Sequence, residues 1–257
     1  MQYENRVVCF IDILGFKEII KETENSSKKL ENTINAIKIL LEYKDYRDET
    51  TKFTQESKQI TQFSDCIVIS YLVEEKSQLF FTILEIQHML IHLIQYGFLA
   101  RGGISFGKLI HTNKILMGPA LIEAYELETK KAIYPRVILP SELITLSAHF
   151  RQDIHTPKEE EEYIKQCLQK DDDEWYYIDF INISGELNTE SDYPEYLVMI
   201  QNIIKNGLKI KKDKIIEKYK WLSDKYNVIA KKIIFNRDNI EDIPLKELYK
   251  EIEYINT

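Results

Sequence analysis

"RVVCFIDILGF" (6–16) is a run of β-branched and large apolar side chains that carries one carboxylate, Asp12, and stops at Gly15. Its Val and Ile content and its length predict a buried strand. An ionised carboxylate inside such a strand is costly unless it is paired or bound to a cation. Outward from it, residues 16–43 place Ile19, Ile20, Leu30, Ile34, Ile37 and Leu41 at broadly helical spacing. "KQITQF" (58–63) and "CIVISYLV" (66–73) read as a hairpin with Ser64 and Asp65 at its turn. Residues 76–96 are the longest apolar helix candidate, stopped by Gly97. "FLARGGISFGKLI" (98–110) reads as a strand with a glycine-permitted bend, and "MGPALIEAYELE" (117–128) as a short helix with Pro119 near its start. "RVILP" (136–140) closes the set as another strand. The β-α-β-β-α-β order predicts an α+β, ferredoxin-like sheet with helices on one face.

From about residue 150 the character changes, so 1–150 is expected to form one domain and 151–257 a C-terminal extension of strand and helices. "HTPKEEEEYIKQCLQKDDDE" (155–174) predicts a surface helix plus loop, and "WYYIDFINI" (175–183) a further strand. Ile215, Tyr219, Leu222, Tyr226, Ile229 and Ile233 repeat at spacings of four and three, a seam for packing on another helix within the chain or in a dimer.

The chain has 257 residues, 44% hydrophobic and 30% charged, with 8 Gly, 6 Pro and 3 Cys. Disorder needs less apolar content and a disulfide scaffold needs far more cysteine. An odd set of cysteines in apolar settings, Cys9, Cys66 and Cys167, fits a reducing compartment. No apolar stretch approaches the roughly 20 residues of a membrane span, and "MQYENRVV" shows no secretory pattern, so a cytoplasmic protein away from membranes is expected. Lys and Arg number 34 against 42 Asp and Glu, a net charge of -8, which argues against a protein that coats nucleic acid but not against a charged small ligand.

The end of the first strand and the hairpin turn can approach each other in such a sheet, so Asp12 and Asp65 would converge. Two carboxylates there suit a hard divalent cation, Mg²⁺ or Mn²⁺. Gly15-Phe16-Lys17 opens a helix directly afterwards, and a helix N-terminus offers free N–H groups to a phosphate. His88 and His92 are four apart on the long helix, but no third ligand is in register. There is no nucleophile elbow and no Walker A loop. A carboxylate beside Cys66 argues against a thiolate nucleophile.

"FIDILGF", then "FSD" about fifty residues on, then "ARGGISFG" and "MGPALIEAYELE", resembles the catalytic core of class III nucleotidyl cyclases over roughly residues 5–140. Within that family it looks like the small bacterial pyrimidine cyclases of the Pycsar anti-phage system. The resemblance implies a homodimeric enzyme converting UTP or CTP to its 3′,5′-cyclic nucleotide and diphosphate, with a separate effector protein sensing the product. It further implies two divalent ions, Mn²⁺ or Mg²⁺, on Asp12, Asp65 and the carbonyl of Ile13. Gly15 and Phe16 would cradle the triphosphate, Phe10, Thr61 and Ile115 would contact the nucleotide, and Arg101 would act on phosphate. Purine-using relatives carry lysine or glutamate at the position of Thr61 and aspartate or cysteine at that of Ile115, which points toward a pyrimidine pocket. Ile122 and Glu126 stand where relatives place the asparagine and arginine that assist the transition state, so Arg101 or Lys108 would have to compensate. A cyclase-like module that binds without turnover, and an atypical adenylate cyclase, are the alternatives.

Overall fold

The computed structural model describes residues 2–45, 57–183, 187, 189 and 191–257. The chain forms two compact units, Met1–Ile178 and Asp179–Thr257, so the boundary expected near residue 150 falls inside the first.

In the first unit, β1 (Glu4–Ile13) leads to α1 (Phe16–Thr23) and α2 (Ser27–Asp45), then to the hairpin β2 (Gln59–Phe63) and β3 (Cys66–Leu72). Next come α3 (Gln78–Gln95), β4 (Ala100–His111), β5 (Leu116–Met117), α4 (Pro119–Glu126) and a π-helical turn, Leu127–Ala132. β6 (Val137–Leu139), α5 (Ser141–Ala148), α6 (Pro157–Gln166), β7 (Leu168–Lys170) and β8 (Tyr176–Ile178) complete it. The strands lie in the order β2-β3-β1-β4-β6-β8-β7, with β5 beside β4. The first four strands are antiparallel neighbours, which is the ferredoxin-like arrangement, and β6 adds in parallel to β4.

Strand alternation sorts β1 onto two faces. Val7, Cys9, Ile11 and Ile13 are all buried and lie on the α3 side, where the Tyr71 hydroxyl donates to Glu85 Oε2 at 2.8 Å. Val8 lies on the other side with Val68 and Leu109, against Ala120 and Ala124 of α4. Helices therefore cover both faces, not one. Gly103 is the reason: a Cβ there would sit 2.4 Å from Leu127 Cβ and 2.6 Å from the Ala124 carbonyl oxygen, so only glycine admits the helix.

The strand expected over 175–183 is shorter than its apolar run. Asp179 Oδ1 accepts from the N–H groups of Ile181 and Asn182, both at 3.0 Å, and turns the chain out of the sheet direction. α6 starts at the expected acidic stretch, with a capping box between Thr156 and Glu159.

The second unit holds α7 (Asp192–Gly207), α8 (Asp213–Asn236) and α9 (Ile243–Lys250). The seam on α8 packs inside this unit: Leu222 and Tyr226 are buried, and the Tyr219 ring lies where any Cβ on Gly207 would go. Two buried side-chain amides then hold residues 251–255, which follow α9. Gln201 donates to the Glu251 carbonyl at 3.2 Å and accepts from Glu253 N–H at 2.7 Å. Asn227 donates to the Ile255 carbonyl at 2.8 Å and accepts from Ile255 N–H at 2.9 Å. Among the described residues no helix is long and apolar enough to cross a membrane.

Candidate functional site

Asp12 is the last residue but one of β1, paired on one side with Cys66 and on the other with Arg101. Opposite residues in antiparallel strands share a face, so the three side chains form one row across the sheet. Asp65 belongs to the two-residue hairpin turn, in which Ser64 takes a left-handed φ of 56°. Ile13 N–H donates to the Asp65 carbonyl at 3.2 Å and ties that turn to the end of β1. Ligand atoms of Asp12, Asp65 and Cys66 consequently lie within 4.8 Å of one another.

Burial pushes the Asp12 carboxyl up to about 6; the Cys66 hydrogen bond opposes this, and the negative charges of Asp65 and Glu128 add to it. A divalent cation between the two aspartates would remove that repulsion, and their oxygens suit Mg²⁺ or Mn²⁺. The Cys66 thiol donates to Asp12 Oδ1 at 3.0 Å and so orients a carboxylate oxygen. Burial raises the thiol first, and Asp12 contributes more than Asp65, the neighbour in sequence from which this was expected. Donor chemistry and spacing thus fit a hard cation on Asp12 and Asp65, with the Ile13 backbone beside them.

Gly15, at φ 76°, turns the chain into α1. Its carbonyl accepts from Glu18 and Ile19 N–H, which leaves the N–H groups of Phe16 and Lys17 at an open helix start four and five residues from Asp12. Arg101 is not idle beside Asp12. Its Nε donates to Glu128 Oε1 at 2.6 Å and its terminal nitrogen pairs with the same oxygen, so any phosphate must compete with an acid that is 2% exposed. Glu128 carries no sequence signal of its own; the glycine pair 102–103, which lets the π-helical turn approach, is the indirect one. Lys108 pairs with Asn5 at the opposite end of β4, seven residues and about 23 Å from Arg101, and does not join the site.

Thr61 lies on β2 opposite Val68, which in turn faces Phe10, one rung from the Asp12 row and on the same face. Its Oγ1 lies 2.8 Å from His111 Nε2, and His111 Nδ1 lies 2.8 Å from Ser70 Oγ. Phe10 meets Tyr125 edge to face at 5.4 Å. Ile115 lies in the β4–β5 turn, where its N–H bonds to Thr112 Oγ1 at 3.0 Å, and is followed by Leu116, the partner of His111. Ile122 and Glu126 lie on the exposed side of α4, Glu126 bound to Lys130 at 2.6 Å. His88 and His92 are exposed on α3.

No family model matches the sequence, and no curated protein matches it. Among solved structures the chain is similar to a bacterial light-regulated adenylyl cyclase at 19% identity, over 58% of this chain and 81% of that one, with a TM-score of 0.42. It is similar to the adenylyl cyclase CyaB from P. aeruginosa at 16% identity, over 69% and 95% of the two chains, with a TM-score of 0.45. A third likeness, at 13% identity over 57% and 82% and a TM-score of 0.37, is to the catalytic core of a rhodopsin-guanylyl cyclase with converted specificity in complex with ATPαS. At these scores none of the three assigns a role to a residue of this chain.

Proposed function

We propose that this chain is a pyrimidine nucleotide cyclase that converts UTP or CTP to the 3′,5′-cyclic nucleotide and diphosphate. The observation that carries the reading is the meeting of Asp12 and Asp65 at one strand end, four residues before an open helix start. The ribose 3′-oxygen attacks the α-phosphorus, the bond to the diphosphate oxygen breaks, diphosphate leaves and the hydroxyl proton passes to solvent. Divalent cations held by Asp12, Asp65 and the Ile13 carbonyl, two by analogy with the resembled family, would neutralise the triphosphate and acidify the 3′-hydroxyl. The N–H groups of Phe16 and Lys17 bind phosphate oxygens, Gly15 allows their approach, and Cys66 fixes the orientation of Asp12. Phe10, Thr61 and Ile115 take the nucleoside, and a neutral, short Thr61 with an apolar Ile115 supports a pyrimidine pocket. Arg101 reaches phosphate by leaving Glu128. Asp12, Cys66 and Arg101 are only half-buried beside α4, so a second copy would complete the site in a C2 homodimer. By the sequence resemblance the product serves as an alarm nucleotide in anti-phage defence, read by a separate effector protein, with neither nucleic acid nor membrane as partner.

Incubation of the purified chain with Mn²⁺ and each of the four ribonucleoside triphosphates tests this directly. Cyclic product and diphosphate are expected from a pyrimidine substrate, with Asp12→Ala and Asp65→Ala both below about a hundredth of that activity, since a required metal supplies several kcal/mol. Cyclic AMP alone would make the chain an adenylate cyclase with an unusual pocket. The engagement of Arg101 by Glu128, and the exposed Ile122 and Glu126, favour a second reading in which nucleotide binds without turnover. Binding of a triphosphate with no product from any of the four would establish it.

A further inference from the structure

The hydrogen bonds beneath Thr61 have a direction that their atoms dictate. Arg6 Nε donates to Ser70 Oγ at 2.9 Å, and an arginine can only donate. Ser70 is fully buried, and among the described residues the acceptor available to its hydroxyl hydrogen is His111 Nδ1, at 2.8 Å. The reverse polarity would bury an O–H with no acceptor, which folded proteins avoid. Nδ1 therefore accepts, Nε2 carries the hydrogen, and Nε2–H donates to Thr61 Oγ1 at 2.8 Å. Burial, and then the charge of Arg6, lowers His111 to about 4 and keeps the ring neutral. Thr61 has thus accepted its internal bond, and among the described residues nothing takes its own hydroxyl hydrogen. That hydrogen is left for a ligand on the half-buried face it shares with Asp12.

We infer that His111, fixed by Ser70 and Arg6, is a specificity-determining positioning residue that occupies a lone pair of Thr61 and leaves its hydroxyl hydrogen in need of an acceptor, so that uracil is taken in preference to cytosine. The inference rests on the cyclase reading above. With the triphosphate at Asp12 and Asp65, a base reaching across β3 toward β2 presents the ring edge farthest from the ribose. Uracil carries the O4 carbonyl there, an acceptor, while cytosine carries an amino group that can only donate to the remaining lone pair and leaves the Thr61 hydrogen without a partner. A site built to bond one group rejects the analogue that cannot return the bond.

The test is calorimetric titration of the whole chain with UTP, CTP, GTP and ATP in Ca²⁺, together with kcat/KM for each in Mn²⁺. UTP is expected to exceed CTP by about tenfold in both measures, one hydrogen bond's worth of discrimination. Thr61→Val should bring the UTP/CTP ratio to about one, while Thr61→Ser retains it. His111→Phe should act as Thr61→Val does. His111→Gln, whose amide can accept from Ser70 and donate to Thr61, should restore the preference, an outcome that bulk packing alone would not give. Thr61 is half-exposed on β2, so its variants carry the test if a His111 variant does not fold. A preference for CTP, or a ratio that Thr61→Val leaves unchanged while cyclisation proceeds, overturns this inference and spares the cyclase reading. Equal use of GTP and UTP, both lost in Thr61→Val, keeps the donor and removes the pyrimidine pocket. Failure of all four triphosphates to bind overturns both.

Discussion

Asp12 holds a carboxylate where burial and two acidic neighbours disfavour its charge. Its carboxyl in the folded chain lies at about 6, against an ordinary value of 3.8. The folded protein therefore holds the proton more tightly than the unfolded chain. The resulting stability is fully present below the ordinary carboxylate range and is lost as pH rises through about 6. Asp12→Asn should accordingly melt higher than the parent at pH 7.5 in chelator, with the gap closing as the pH is lowered toward 4. Mn²⁺ should raise the melting temperature of the parent and leave that of Asp12→Asn nearly unmoved. A variant that melts lower at every pH would mean that Asp12 serves a structural pair instead. At this scale the sequence exposes Asp12 well, because a lone acid in an apolar run has few bland explanations. It hides Glu128, a glutamate in an ordinary helical stretch whose burial depends on a glycine two dozen residues earlier.

That glycine governs the element next to the site. α4 and its π-helical turn lie against β4 because Gly103 offers no side chain, and Glu128 N would be 3.0 Å from any Cβ placed there. Gly103→Ala must displace backbone atoms, and a loss of about 1–3 kcal/mol in urea unfolding is expected, typical of overpacking. The same variant should loosen the pairing of Glu128 with Arg101, whereas an unchanged unfolding midpoint would contradict the tight contact. Elements with strong internal patterns were legible in advance: β1, the β2–β3 hairpin, α3 and β4 all stand near their expected positions. β5 and β7, at two and three residues, are too short to generate a period. The apolar run at 175–183 overstates its strand because the Asp179 side chain competes for backbone N–H groups that a ladder would have used. The second helical layer was not legible, because periodicity locates a helix but does not tell which sheet face receives it.

For the molecule as a whole, side chains that water does not favour form an exposed border beside the Asp12 row: Phe63 pairs with Cys66, Tyr125 meets Phe10, and Ile122 lies one turn from Tyr125 on α4. Ile122 and Phe63 are 62% and 59% exposed, and Tyr125 is half exposed. If a second copy covers this border, sedimentation equilibrium should show a dimer, and specific activity should fall on dilution below its dissociation range. Ile122→Asp should shift the chain to monomer and remove turnover while leaving the melting temperature of the monomer close to that of the parent, since an exposed side chain contributes little to its own fold. A fully active monomer would leave the site complete within one chain. The amides of Gln201 and Asn227 carry a consequence of a different kind, one of timing. They lie in α7 and α8, yet their partners are residues 251–255, so these helices are synthesised well before the groups that satisfy them exist. During translation the sheet unit has all its strands by residue 178, whereas the helical unit must wait for residues 251–255, with Gln201 met only by Tyr226 and Asn227 by Ser223 until then. The order of birth along the chain therefore makes the helical unit the later of the two to close, and makes its unfinished form a stage open to capture by chaperones or to aggregation.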